Sequence, residues 1–185
     1  MASKLTTIIA TIDRATLRLG RSIALLNVAM VIAMCMVVLL RYAFNNSSIV
    51  LQESVMYIHA IIFMLCMGYT LKSDEHVRVD IIYQKLSEKQ KACINLFGSL
   101  VLLFPLLIFI SWFSAPYIKS TWAIFEVSQE AAGLPYVYLL KSLIIAMTAT
   151  LGLQGAAEVL RNIEIIMNPP KDMTQPQTDT HQGQI

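Results

Sequence analysis

The chain of 185 residues is 56% apolar and only 14% charged, with a mean hydropathy of +0.61. Soluble domains carry about 25% charged residues, so this balance excludes an ordinary water-soluble fold. The net charge of +2 is too small and too mixed with acids to suggest a nucleic-acid partner.

Residues 1–21 come first. Leu5, Ile8, Ile9, Ile12 and Leu19 recur at helical spacing while Arg14, Arg18 and Arg21 fall on another face. That pattern predicts an N-terminal cytoplasmic amphipathic segment, or an extension of the span that follows. No charge then lies between Arg21 and Arg41, only Glu53 between Arg41 and Lys72, and none between Lys91 and Lys119. Residues 22–160 therefore read as a four-span membrane domain, with spans at about 22–40, 54–71, 92–118 and 134–157. At a rise of about 1.5 Å per residue each covers most or all of a hydrocarbon core roughly 30 Å thick. A cleaved signal peptide is the competing account of the first stretch, but it runs longer than a signal core and exits into Arg41-Tyr42-Ala43-Phe44. The expected fold class is an all-α integral membrane protein with four transmembrane helices plus amphipathic interfacial helices.

Local signals punctuate these spans. Asn45-Asn46-Ser47-Ser48 reads as a turn and helix start, and Ser87 to Gln90 has capping-box spacing. Pro105 lies inside the third helix and should bend it, because it removes a backbone donor and clashes with the preceding turn. Gly133-Leu134-Pro135 places a proline where the fourth helix could start. Residues 161–185 read as a cytoplasmic tail, largely disordered, being polar and breaker-rich from Pro169. Cys35, Cys66 and Cys93 are odd in number and widely spaced, so they read as small apolar fillers.

Orientation follows from the bases. Lys4, Arg14, Arg18, Arg21, Lys72, Arg78, Lys85, Lys89, Lys91, Arg161 and Lys171 fall on one side of a four-span chain, and Arg41, Lys119 and Lys141 on the other. The positive-inside rule puts both termini in the cytoplasm.

Ionisable residues at membrane depth are the default functional candidates. Lys141 sits near the start of the fourth span, where it can snorkel to the interface or pair with a partner protein. Glu158 is about 25 Å further along the same helix, too far to pair with it. His59 is the single histidine inside a span, and reads as a hydrogen-bonded packing residue; Gln154 could bond between helices. There is no P-loop, no H-E-x-x-H and no nucleophile elbow, and no internal repeat of the kind carriers use. Catalytic, substrate-binding and metal residues are therefore not assigned, an enzyme is not expected, and the spans suggest a subunit that binds another membrane protein.

The segment around the second span carries more. Arg41-Tyr-Ala-Phe-Asn45, Gln52-Glu53, His59-Ala-Ile-Ile-Phe63, and Gly68-Tyr-Thr-Leu-Lys72 leading into His76-Val-Arg78-Val-Asp80 closely resemble the small membrane subunit, the Q subunit, of tripartite ATP-independent periplasmic (TRAP) transporters. The resemblance covers about residues 15–162. Many members have Trp-x-Glu-Glu before the second span, where this chain has Val50 and Gln52, leaving Glu53 as the retained carboxylate. The Gln-Glu form looks more like the branch associated with 2-oxo acids or larger organic acids.

The resemblance implies a location in the bacterial inner membrane, a large multi-span TRAP membrane subunit and a periplasmic substrate-binding protein as partners, and no cofactor of its own. Sodium would act through the large subunit, whose scaffold the small subunit would brace. Candidates for fixing loops or the subunit interface are Arg41 with Glu53 on the outer side, His76, Arg78 and Asp80 on the inner side, and Gln52, His59, Lys141 and Glu158. Lys119, Glu126 and Glu130 are candidates for docking the binding protein, and Gly68, Gly98, Gly152 and Gly155 for close helix contact. A haem- or quinone-binding four-helix anchor is the alternative, although bis-histidine ligation needs two histidines at membrane depth and only His59 is so placed.

Overall fold

The helix boundaries follow from caps and breakers in the sequence. A computed structural model describes residues 2–73 and 86–168, which form α1 (Ala2–Ala24), α2 (Leu26–Ala43), α3 (Ile49–Lys72), α4 (Glu88–Gly98), α5 (Phe104–Ala123) and α6 (Val137–Met167). α1 and α2 form one long rod broken at Leu25. The side-chain amide of Asn27 donates to the Ala24 carbonyl at 3.2 Å, and Val28 N–H turns to Leu25 at 3.1 Å. A short polar side chain competing for helix carbonyls is a recognised cause of such breaks. α2 closes with Asn45 in the left-handed region, φ 48°, and Asn46 N–H on the Leu40 carbonyl at 3.0 Å. The Ser48 hydroxyl then accepts Leu51 N–H at 3.3 Å and opens α3.

α4 opens on the expected capping box, with Gln90 N–H on Ser87 Oγ at 3.4 Å and Ser87 N–H on Gln90 Oε1 at 2.9 Å. The expected irregularity at Pro105 takes a specific form. Pro105 has no N–H to offer Val101, and Ser99–Leu103 widens into a π-helical segment, with Phe104 N–H reaching back to the Ser99 carbonyl. Pro116 is a second proline inside this helix. α6 starts at Val137, two residues beyond Pro135, and its end at Met167 takes residues 161–167 out of the expected disordered tail.

Four helical stretches are long and apolar enough to cross a membrane: Leu5–Ala43, Ile49–Lys72, Glu88–Ala123 and Val137–Met167. α3 and α6 form the centre and run in the same direction, since Glu53 meets Leu134 at one end and Gly68 meets Thr150 further along. α2 leans on α3 and α5 leans on α6, while α4 packs on α6. Among the described residues α2 and α5 share no substantial contact, so the spans form an open row and not a closed bundle. α1 packs on both α3 and α6 at their Lys72 end, burying Ile9, Thr16 and Ile23 as one stripe seven residues apart. The N-terminal segment is thus docked on protein as the extension of the first span, with Arg14, Arg18 and Arg21 left exposed.

Candidate functional site

Polar side chains gather at the two ends of the central α3–α6 pair. At the Lys72 end, the Asp13 carboxylate receives Lys72 Nζ at 2.6 Å and Arg161 Nη2 at 2.8 Å, joining α1 to α3 and α6. Gln154 is fully buried and uses both ends of its amide: Nε2 donates to Asp13 Oδ1 at 3.1 Å, and Oε1 accepts the Thr16 hydroxyl at 2.8 Å. Arg161 also pairs with Glu158, and Asn162 Nδ2 donates to the Glu158 carbonyl at 2.8 Å. Every strong group in this cluster has a partner, which buried charge requires.

At the other end Glu53 holds the loop between α5 and α6. Its Oε2 accepts Leu134 N–H at 2.5 Å and its Oε1 accepts the Ser128 hydroxyl. Gly133 makes room for this clasp: a Cβ there would press on Ser128 Oγ and stand 2.7 Å from Glu53 Oε1. Beside it Lys141 Nζ lies 2.6 and 2.7 Å from the two Glu126 carboxylate oxygens and 4.3 Å above the Tyr117 ring. Trp122 Nε1 donates to Ser142 at 2.8 Å and its ring meets Tyr138 at 4.8 Å, an arrangement of aromatic rings suited to a membrane interface.

The structure redistributes several sequence expectations. Arg41 and Glu53 do not pair: the Glu53 carboxylate is occupied by the loop, and Arg41 is exposed in a cleft between α2 and α3 with Gln52 and His59. Gln52 bonds to Ser47 at 3.0 Å, and His59 stacks on Phe63 at 6.2 Å and is exposed, not hydrogen-bonded inside the bundle. Lys141 is paired within the chain, with Glu126. Glu126 is accordingly occupied, whereas Lys119 and Glu130 are exposed. Gly68 and Gly155 make close contacts inside the chain, against Thr150 and Leu103, and Gly98 faces open space. His76, Arg78 and Asp80 lie outside the described residues.

Asp13 is the central residue that sequence reasoning missed. Its signal was present: it is the only acid before Glu53, set on a helix otherwise rich in arginine. Among the described residues no group of three or more His, Cys, Asp or Glu is placed to hold a metal ion. The polar groups join this chain's own helices to one another.

These features define an all-α integral membrane protein in which Asp13, Lys72 and Arg161 tie three helices of the row together. Residues 30–164 match the family model of the tripartite ATP-independent periplasmic transporters, DctQ component, and the chain belongs to that family. It is a small permease subunit of a TRAP transporter, which sets aside the haem or quinone anchor. Neither a curated protein nor a solved structure matches it.

Proposed function

We propose that this subunit braces the scaffold of the large multi-span membrane subunit in a sodium-driven importer of organic anions, to which a periplasmic binding protein delivers carboxylate substrate. The observation that carries this reading is the internal saturation of the two polar clusters. Asp13, Glu53, Glu126, Lys141, Glu158 and Arg161 are all satisfied within the chain, so they stiffen the row and offer no lone charge to an ion or substrate. A brace needs rigidity and apolar surface, and α2 and α5 present such surface to their surroundings, with Val31, Ile32, Ile108, Phe109 and Trp112 exposed. It needs no catalytic group and no cofactor, and sodium acts through the large subunit.

In this reading the protein sits in the bacterial inner membrane with both termini and the Asp13 cluster on the cytoplasmic side, following the distribution of Lys and Arg. The Glu53 clasp, Lys119 and Glu130 face the periplasm, where the binding protein docks. Co-expression of the tagged chain with the adjacent large subunit tests the reading. A one-to-one complex that takes up carboxylate into liposomes on a sodium gradient, with the binding protein added, is the expected result. A chain that purifies alone and transports by itself would overturn it.

A further inference from the structure

The cleft between α2 and α3 encloses about 670 Å³ and has an unusual distribution of groups. Its walls carry Met30, Met34 and Met56, and its polar members are Arg41, Gln52 and His59. Arg41 is exposed and has no carboxylate partner among the described residues. We propose that this cleft is a phospholipid site, with the headgroup phosphate on the Arg41 guanidinium and an acyl chain laid along the methionines.

Three observations favour a lipid over a helix of another subunit. From Met30 to Arg41 the helix rises about 16 Å, which is about half of the hydrocarbon core and therefore one leaflet. Arg41 stands at the end of that leaflet, where a headgroup phosphate lies. His59, roughly 10 Å deeper than Gln52 along α3, adds an exposed polar ring to the same wall. Secondly, none of the lining residues is Gly, Ala, Ser or Thr, the small residues that let helices approach one another in lipid. Flexible thioether side chains suit a flexible chain instead. Finally, no residue of α2 is buried within the chain, so the cleft opens outward from the helix row.

Val31 lines the cleft as well, so the lipid shares the α2 surface that the bracing role offers to the large subunit. Its test uses the full-length chain, purified, delipidated and exposed to phosphatidylglycerol or phosphatidylcholine, with bound lipid counted by native mass spectrometry. Wild type is expected to retain phosphatidylglycerol preferentially, and Arg41→Gln to retain about fivefold less of it, the effect of one basic contact. Met34→Trp, which fills the cleft and leaves Arg41 in place, should lose the lipid too. Both positions are exposed, so neither change threatens folding, and helical circular dichroism checks this. Wild-type retention in both variants would overturn the proposal, whereas equal retention of the two lipids by wild type would mean that the phosphate alone, and not the net headgroup charge, is recognised. A photoreactive residue at Met56 that labels the co-expressed large subunit and no lipid would also overturn it.

Discussion

Asp13 and Arg161 are 148 positions apart in the chain, yet Oδ2 of one lies 2.8 Å from Nη2 of the other. The same oxygen lies 2.6 Å from Lys72 Nζ, so a single carboxylate on α1 faces two cations from the two central helices. A partly buried acid bound to one base on each central helix ties α1 to both, and this fixes where α1 crosses the row. Gln154, buried beneath it, adds a bond that no solvent can replace.

Asp13→Asn should therefore loosen α1. The change keeps the shape and removes the charge that Lys72 and Arg161 share, at a cost of about 1–3 kcal/mol for hydrogen bonds to charged groups left poorly satisfied. Thermal unfolding in detergent should show a lower midpoint, and proteolysis should cut earlier within residues 2–24. Because Gln154 bonds the same carboxylate, Asp13→Asn and Gln154→Leu should be non-additive. Additive losses would mean that the two residues act separately.

The Glu53 clasp makes a second pairing of variants. Gly133→Ala should displace the Glu53 carboxylate, since the added Cβ would stand 2.7 Å from Oε1 and press on Ser128. Glu53→Gln weakens the same bonds to Leu134 N–H and Ser128 chemically. Both should expose residues 124–136 to protease, and the double variant should be little worse than either single one. A Gly133→Ala protein with unchanged loop protection would count against the clasp.

The helices were legible in the sequence because hydrocarbon imposes a blunt rule: a span must be long and nearly uncharged, and the charge gaps bounded by Arg21, Arg41, Lys72, Lys91 and Lys119 mark them. Caps at Ser48 and Ser87 and the disturbance at Pro105 were legible too, since their causes act within five residues. The row arrangement was not, because a helix that is apolar all round does not announce which face meets protein. For the same reason Glu53 could be named as fixing the outer side but not given its partners, since Ser128 and Leu134 lie 75 and 81 positions away. Asp13 was visible as a lone acid, but its partners on α3 and α6 depend on which face of the α1–α2 rod meets the bundle.

Lys141 and Glu126 offer a cleaner electrostatic test, as they form a discrete pair at 2.6 Å near the membrane interface. Removing one partner leaves the other charge uncompensated in a partly desolvated setting, whereas removing both avoids that cost. Lys141→Met and Glu126→Gln should each lower the unfolding midpoint, and the double variant should recover part of the loss. If Glu126 instead served the binding protein, Glu126→Gln would weaken docking while leaving stability unchanged.

Two glycines should respond in opposite directions to the same small change. A Cβ at Gly68 would stand 3.1 Å from the Thr150 carbonyl oxygen, and that oxygen belongs to the backbone of α6 just above the buried Gln154. Neither atom is the end of a flexible side chain, so the helices must part, and Gly68→Ala should cost about 1–3 kcal/mol by overpacking. At Gly98 an added Cβ meets nothing within 4 Å and the backbone is already helical, with φ −58° and ψ −42°. There the loss of unfolded-state freedom dominates, and Gly98→Ala should be neutral or stabilising by about 0.5–1 kcal/mol. Unfolding midpoints of the two variants, measured side by side in one detergent, separate the effects. If Gly68→Ala matched Gly98→Ala, the close crossing of α3 and α6 would be wrong, and with it the parallel pair at the centre of the row.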